Sequence, residues 1–140
     1  MEVVFREAER WLRQAEYELK AARWVEEGGF YAPACFLAQQ SAAKSLRAFL
    51  FYKKEDARES RSVADLVDRA LTHDERFKLL DESLSRLDIY YKTTRYPDSL
   101  PGGIPAEIIT ARDSKEAISI ASELLSIVED TRKGYMPESF

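Results

Sequence analysis

The stretch that decides the fold is residues 31–52, YAPACFLAQQSAAKSLRAFLFY. Fifteen of these 22 residues are apolar, and the two charged residues, Lys44 and Arg47, lie in the second half. Pro33 stands near the start, where a helix tolerates proline. Because the apolar residues cover more than one face, the stretch predicts a helix that is buried among several neighbours. We therefore expect the other segments to pack around this central helix, with its alanine-rich half allowing a close approach.

The flanking segments have the three- and four-residue apolar spacing of amphipathic helices. They predict a first helix over residues 2–27, a short helix over 64–71, a longer helix over 75–92 and a last helix over 113–132. Gly28-Gly29 is expected to end the first helix. Thr72 or Asp74 is a candidate cap for the helix at 75, and Asp113 or Ser114 for the last helix.

No segment alternates in the way that a strand requires. The sequence therefore predicts an all-α fold, an antiparallel up-and-down bundle of four main helices plus one short helix. A length of 140 residues suits a single domain over residues 1–140, with residues 133–140 as a tail.

Composition limits the function classes. The net charge is −4 and the pI is about 5.2, so any contact with nucleic acid must be local, because proteins that bind duplexes mainly through phosphates are usually basic. A single cysteine, Cys35, excludes an intrachain disulfide and fits a reducing compartment. The N-terminus is charged from residue 2, and no apolar run approaches the roughly 20 residues that cross a bilayer. We expect a cytoplasmic protein that does not enter a membrane.

Several familiar sites are absent from the sequence. His73 is the only histidine and has no cysteine nearby, so the usual zinc site is not predicted. Gly102-Gly103 is followed by Ile-Pro, which does not match a phosphate-binding P-loop. We predict neither a metal nor a cofactor.

The informative segment is residues 90–98, YYKTTRYPD, which opens a Pro- and Gly-rich connection over residues 93–112. Long irregular connections in compact domains are often functional. Arg95 offers paired donors that suit phosphate or carboxylate, Lys92 adds charge, and Tyr96 offers a ring for a base. Asp98 completes the candidate set. The alternative is structural: Arg95 pairs with a carboxylate while Tyr96-Pro97 fastens the loop to the bundle.

Five pieces of the sequence follow one another over about residues 5–132. They are Trp11-Leu12 with Ala15, Leu19 and Ala22; Gly29 to Gln40; Lys44 to Ala48; Ser62 to Leu66; and Tyr91 with Arg95 to Asp98. In this order they resemble the HEPN family, the higher eukaryotes and prokaryotes nucleotide-binding domain, in its small stand-alone prokaryotic form. The second piece is similar to the family's Gly-x-Tyr-x-x-Ala-Cys-x-x-x-Gln-Gln run and the third to its Lys-x-Leu-Lys-Ala.

The resemblance implies a helical bundle that forms homodimers and acts beside a minimal nucleotidyltransferase in a pair of toxin–antitoxin type. Many members are metal-independent RNases whose motif is Arg, four to six residues, then His. Here the corresponding positions after Arg95 hold Leu100, Pro101 and Gly102. Arg61 stands where the family usually has a His before Ser-Val, and Ala43 where it usually has a Glu before the central Lys. The general acid or base is therefore missing.

Three functions are carried forward. The first is a non-catalytic HEPN-like homodimer that binds a nucleotide or RNA through Arg95, Tyr96, Lys92, Asp98 and Lys44 and partners a nucleotidyltransferase. The second is a metal-independent endoribonuclease with a degenerate site, in which Arg95 would bind the phosphate. The third is a structural dimerisation partner without ligand. A homodimer is expected in each case, because large apolar residues exceed the need of one bundle; those residues are Trp11, Trp24, Phe49, Phe51 and Tyr52.

Overall fold

The computed structural model describes residues 2–59 and 62–135, and within them every regular element is helical. Arg61 and the part of the tail beyond Tyr135 lie outside the described residues. The elements follow one another in this order: α1 Glu2–Glu27, α2 Tyr31–Tyr52, α3 Val63–Leu71, a 3₁₀ helix Glu75–Leu80, α4 Asp81–Arg86, a 3₁₀ turn Leu87–Ile89, α5 Tyr90–Thr93, a 3₁₀ turn Pro97–Ser99, α6 Pro105–Ile108 and α7 Ala111–Lys133. The predicted all-α bundle is confirmed.

Helices α1 and α2 form the most extensive pairing, as their short connection predicts. Gly29 has φ +85°, a left-handed conformation that glycine adopts without strain, and it ends α1 as expected. Small side chains let the two helices approach closely. As a result, the hydroxyl of Ser41 in α2 donates a hydrogen bond of 2.8 Å to the backbone carbonyl of Ala15 in α1.

Helix α2 is the centre of the bundle. It packs against α1, α3, α5, α6 and α7, and its apolar side chains are buried on all sides in the second half. Phe49 is fully buried against the Phe77 ring at 4.6 Å between centroids. Cys35 is fully buried as well and has no disulfide partner. The central-helix prediction is confirmed. In the described residues, no helix is both long enough and apolar enough to cross a membrane.

The segment predicted as one helix over 75–92 is helical but divided. Asp74 caps its start by accepting the Arg76 N–H, as predicted. Asp88 turns toward α3 and accepts the N–H groups of Val63 and Ala64 at 2.8 and 3.0 Å. Polar residues such as Asp and Ser compete with the helical backbone, and here they divide the segment into α and 3₁₀ pieces.

The last helix begins two residues earlier than predicted. Thr110 is its N-cap, and its hydroxyl accepts the Asp113 N–H while the Asp113 carboxylate accepts the Thr110 N–H. This reciprocal pair is a capping box, so Asp113 is its third-position acid rather than the cap itself. The other end is close to the predicted one, with Gly134 at the C-cap.

The reason given for a dimer from sequence needs correction. Phe49, Phe51 and Tyr52 are buried within the single chain, and Trp11 packs against the same core and stacks on Phe51. Only Trp24 is left on the surface, 77% exposed. The single chain thus buries most of the large apolar side chains from which the homodimer was predicted, and a homodimer needs other support.

Candidate functional site

The Arg95 loop is held in one conformation by its own hydrogen bonds. The N–H groups of Arg95 and Tyr96 both donate to the carbonyl of Lys92 at 3.1 Å, which closes the end of α5. Ser99 donates through its hydroxyl to the carbonyl of Tyr96 at 2.6 Å. Thr94 is buried, and its hydroxyl donates to the Tyr90 carbonyl. Side chains on this loop therefore start from a fixed backbone.

The guanidinium of Arg95 lies among three aromatic rings. Its central carbon is 4.3 Å from the ring centroid of Phe36, 4.7 Å from that of Tyr91 and 4.9 Å from that of Tyr96. Phe36 belongs to α2 and Tyr91 to α5, so the loop is joined to the central helix at this point. We call these four residues the Arg95 cluster. Each cation–π contact at an exposed site is worth about 0.5–1 kcal/mol, which favours one placement of the guanidinium.

Most of the hydrogen-bonding capacity of Arg95 is unused within the part of the chain that the structure describes. Its Nε and Nη2 groups donate to the Tyr91 carbonyl, and a guanidinium has five N–H donors, so three donors stay available. Among the described residues no carboxylate forms an ion pair with Arg95. The alternative in which Arg95 is consumed by an internal salt bridge is therefore not what the structure has. An exposed, oriented and unneutralised guanidinium suits a phosphate.

The rings of the cluster keep one accessible side. Tyr91 and Tyr96 are each 49% exposed, while Phe36 is partly buried beneath them. A half-exposed ring beside a phosphate-binding cation is the arrangement on which a nucleobase stacks. The predicted partners Lys92 and Asp98 are also exposed and lie within one turn of Arg95 on either side. In the part of the chain that the structure describes, neither side chain forms an ion pair.

Lys44 is not brought into the Arg95 cluster. It lies two turns beyond Phe36 on α2, and its ammonium is 2.8 Å from Oε1 of Glu18 in α1. It also donates to the side-chain carbonyl of Gln40 at 3.1 Å. Both ends of the Lys44–Glu18 pair are largely buried, so Lys44 has a structural partner. A contact between Lys44 and a ligand stays a prediction.

Cys35 and Tyr90, the sequence neighbours of Phe36 and Tyr91, are poor acids and bases at neutral pH. Burial raises the pKa of the Cys35 thiol to about 12 and raises the pKa of the Tyr90 hydroxyl to about 12. General acid–base catalysis works best with a pKa near the operating pH. The pKa of Glu16 does come near neutrality, because burial and a hydrogen bond with Glu129 raise it to about 7. Glu16 lies between α1 and α7, not in the Arg95 cluster.

Sequence reasoning located the cation but not its surroundings. Tyr91 is part of the family pattern and Phe36 falls within the apolar stretch 31–52, yet the sequence assigns neither of them to the site. The sequence signal that could have indicated these rings is the presence of three tyrosines in residues 90–96, since a short loop cannot bury three rings by itself. Only the packing of α5 on α2 reveals which rings meet. Across residues 2–59 and 62–135, no group of three or more His, Cys, Asp or Glu is placed to hold a metal ion.

Comparison with known proteins identifies the relatives of this chain. The crystal structure of TT1696 from Thermus thermophilus superposes with a TM-score of 0.77 at 34% identity, covering 89% of this chain and 97% of that one. The crystal structure of ST0689, described as an archaeal HEPN homologue, gives 0.71 at 34% identity and covers 90% and 98%. No curated protein sequence matched. The HEPN domain model matches residues 8–131, and the chain therefore belongs to the HEPN domain family.

Proposed function

We propose that this protein is a non-catalytic HEPN module that binds a nucleotide, or a nucleotide unit of RNA, at the Arg95 cluster. The observation that carries the proposal is the Arg95 guanidinium beside three rings with three of its donors unused. Its outward N–H groups bind the phosphate, and the exposed ring of Tyr91 or Tyr96 stacks on the base. Lys92 adds positive charge next to the phosphate, and Asp98 supplies an acceptor for a base or sugar donor.

Isothermal titration with ATP, GTP, AMP and a short RNA tests the binding. We expect at least one of these ligands to bind the wild type and to lose about tenfold or more in affinity in Arg95→Ala, since hydrogen bonds to charged groups contribute about 1.5–3 kcal/mol. Arg86→Ala is the matched control, because Arg86 is an exposed arginine at the end of α4 and lies outside the cluster. If no ligand binds, or if the two variants weaken binding equally, the Arg95 cluster is not a nucleotide-binding site.

The absence of catalysis rests on the missing histidine. Leu100, Pro101 and Gly102 cannot transfer protons, and the buried Cys35 and the partly buried Tyr90 stay protonated at neutral pH. Total RNA incubated with the purified protein in a chelator is expected to stay intact. Cleavage that disappears in Arg95→Ala would instead assign the protein to the endoribonucleases with a degenerate site.

The homodimer is proposed on exposed apolar side chains that the sequence prediction did not use. Five large apolar side chains are about half exposed or more in residues 89–108: Ile89, Tyr91, Tyr96, Ile104 and Ile108. Exposed apolar side chains on one segment often mark protein interfaces. Light scattering at micromolar concentration should give twice the chain mass, and Ile104→Asp with Ile108→Asp should give the mass of one chain. A monomeric wild type contradicts this part.

The partner is proposed to be a minimal nucleotidyltransferase, acting with this protein as a pair of toxin–antitoxin type. Membership of the HEPN family supports this proposal. The open reading frame beside this gene should encode such an enzyme, and the two proteins should co-purify after co-expression. Independent elution of the two proteins would remove the pairing.

A further inference from the structure

The outer face of α1 has a charge that differs from that of the whole chain. Although the net charge is −4, the exposed side chains that the structure describes over residues 3–27 of this helix include five cations and one carboxylate, Glu27. The cations are Arg6, Arg10, Arg13, Lys20 and Arg23. Tyr17 and Trp24 lie among them and are 68% and 77% exposed. An acidic protein thus has one basic and aromatic surface.

The glutamates of α1 do not cancel this charge, because most of them are turned toward the bundle. Glu9 accepts from Tyr52 and Arg132, and Glu18 pairs with Lys44. Glu26 accepts a hydrogen bond from Ser114. Glu7 is the exception that faces a surface cation, since it pairs with Arg10 at 2.7 Å. Arg13 and Lys20 have no ion pair among the described residues, so their charges face solvent uncompensated.

The spacing places rings and cations in rows. Arg10, Tyr17 and Trp24 are seven residues apart, which keeps them nearly in line along one helix face, roughly 10 Å from one to the next. Arg13 and Lys20 form a parallel row of the same spacing beside them. Rings that alternate with cations along a track are the arrangement that binds single-stranded nucleic acid, with bases on the rings and phosphates on the cations.

The surface is concave on both sides of Tyr17. One hollow of about 570 Å³ is lined by Glu7, Arg10, Trp11, Arg13, Gln14 and Tyr17. A second of about 590 Å³ lies between α1 and α7, and Arg13, Tyr17, Lys20 and Arg23 contribute to it. Because Arg13 and Tyr17 line both, the two hollows adjoin and Tyr17 stands between them. The second hollow also contains Glu16 and Glu129, and burial together with a hydrogen bond to Glu129 raises the pKa of Glu16 to about 7, so Glu16 carries less negative charge at neutral pH than an ordinary glutamate.

We propose that this outer face of α1, from Arg10 to Trp24, is a second binding surface, and that it binds a single-stranded polynucleotide. Tyr17 and Trp24 stack on bases, while Arg13, Lys20 and Arg23 bind the phosphates. Stacking requires unpaired bases, so a duplex is excluded from the aromatic part of the surface. None of these residues belongs to the Arg95 cluster, and the surface does not depend on the nucleotide site proposed above.

Fluorescence anisotropy with a labelled single strand of about 12 nucleotides tests the proposal, since such a strand falls in the usual range for one binding fold. RNA and DNA strands of one sequence, the RNA duplex and a polyglutamate peptide are compared at low salt. We expect the single strands to bind more tightly than the duplex or the peptide. Arg13→Glu with Lys20→Glu should weaken single-strand binding about tenfold or more and reduce the salt slope by about 1.4, or 0.7 for each cation withdrawn from a phosphate.

Matched variants separate this surface from general charge and from folding. Lys78→Glu with Arg86→Glu makes the same change in charge on exposed residues of the segment after α3 and should leave binding near wild type. Tyr17→Ala with Trp24→Ala should weaken binding about 30-fold or more, whereas Leu79→Ala, which removes a side chain that is 92% exposed, should not. In an Arg95→Ala background, Arg13→Glu with Lys20→Glu should still weaken single-strand binding about tenfold, so failure of the α1 surface is distinguishable from failure of the Arg95 cluster. Circular dichroism confirms the fold of each variant.

A direct signal comes from Trp24. The chain has two tryptophans, so Trp11→Phe leaves Trp24 as the only one, and single strands should quench its emission. The proposal is overturned if single strands do not bind, if both charge-reversal pairs weaken binding equally, or if polyglutamate binds as tightly as RNA without needing Tyr17 and Trp24. It is also overturned if the α1 variants turn a dimeric wild type into a monomer, because the face then belongs to a second copy of the chain.

Discussion

The Arg95 guanidinium carbon lies 4.3 Å from the ring centroid of Phe36, so a side chain of the central helix supports the loop that opens the irregular connection. The contact joins residues 59 positions apart in the sequence. Phe36 is partly buried and Arg95 is exposed, and the ring therefore acts as the floor on which the cation is oriented.

Phe36→Leu should lower nucleotide affinity without unfolding the protein. Leucine keeps most of the apolar contact but removes the ring face, which costs about 0.5–1 kcal/mol at an exposed site and weakens binding about two- to fivefold. Titration calorimetry with the ligand found for the wild type measures the effect. Phe30→Leu is the control, because Phe30 is an exposed ring that has no contact with Arg95 in the described structure. Equal losses in both variants would mean that Phe36 does not act through Arg95.

Lys44→Met should reduce stability rather than ligand affinity. It leaves the Glu18 carboxylate largely buried without its cation, and an unpaired buried charge costs about 3–5 kcal/mol when the site is fully dry, less here because both groups keep some contact with water. Urea denaturation should show a clear loss. The double variant Glu18→Gln with Lys44→Met should recover part of it. If Lys44→Met instead unfolds normally and lowers nucleotide affinity, Lys44 belongs to the binding site after all.

Asp88→Ala should destabilise the chain at the start of α3. The carboxylate accepts the N–H groups of Val63 and Ala64, and each buried donor left without a partner costs about 1–3 kcal/mol. Ser62→Ala removes the separate bond to the Asp65 N–H and should cost less, about 1 kcal/mol. Glu82→Ala on the exposed face of α4 is the control. Denaturation curves that do not distinguish Asp88→Ala from the control would contradict the capping role.

The sequence was most informative where one pattern decides the structure. The apolar rows of residues 2–27 and 31–52 predicted both helices with their observed ends, because Gly28-Gly29 leaves the chain no helical continuation. At α7 the pattern failed by two residues, since the apolar row begins after the first turn. Thr110 and Asp113 set the first turn through their reciprocal hydrogen bonds, and the spacing of apolar residues does not reveal those bonds.

The parts that could not be predicted depend on contacts between distant segments. Asp88 divides the fourth helical segment because α3 presents its unpaired N–H groups there, and nothing near Asp88 in the sequence indicates it. The Arg95 cluster is similar. Arg95 and Tyr96 were recognisable as a cation and a ring in a loop, but the contribution of Phe36 requires α5 to pack on α2. The basic face of α1 was present in the helical spacing, yet its charge became evident only when the glutamates turned inward.

Stability should fall as the pH rises from about 6 to 8, and Glu16 is the cause that we expect. Burial and Glu129 raise its pKa from 4.5 to about 7, with Arg132 opposing and Glu9 adding to the shift. The folded state thus binds a proton that the unfolded chain has released, so the stability from this proton is fully present below about pH 4.5 and is lost as the pH rises through 7.

Glu16→Gln keeps a donor for Glu129 at every pH. The difference in melting temperature between this variant and wild type should therefore widen from pH 6 to pH 8. Glu123→Gln, an exposed carboxyl on α7, should show no such change. A constant difference for Glu16→Gln would mean that Glu16 does not hold a proton near neutral pH, and the α1–α7 hollow would then be more negative than the binding surface proposed for α1 requires.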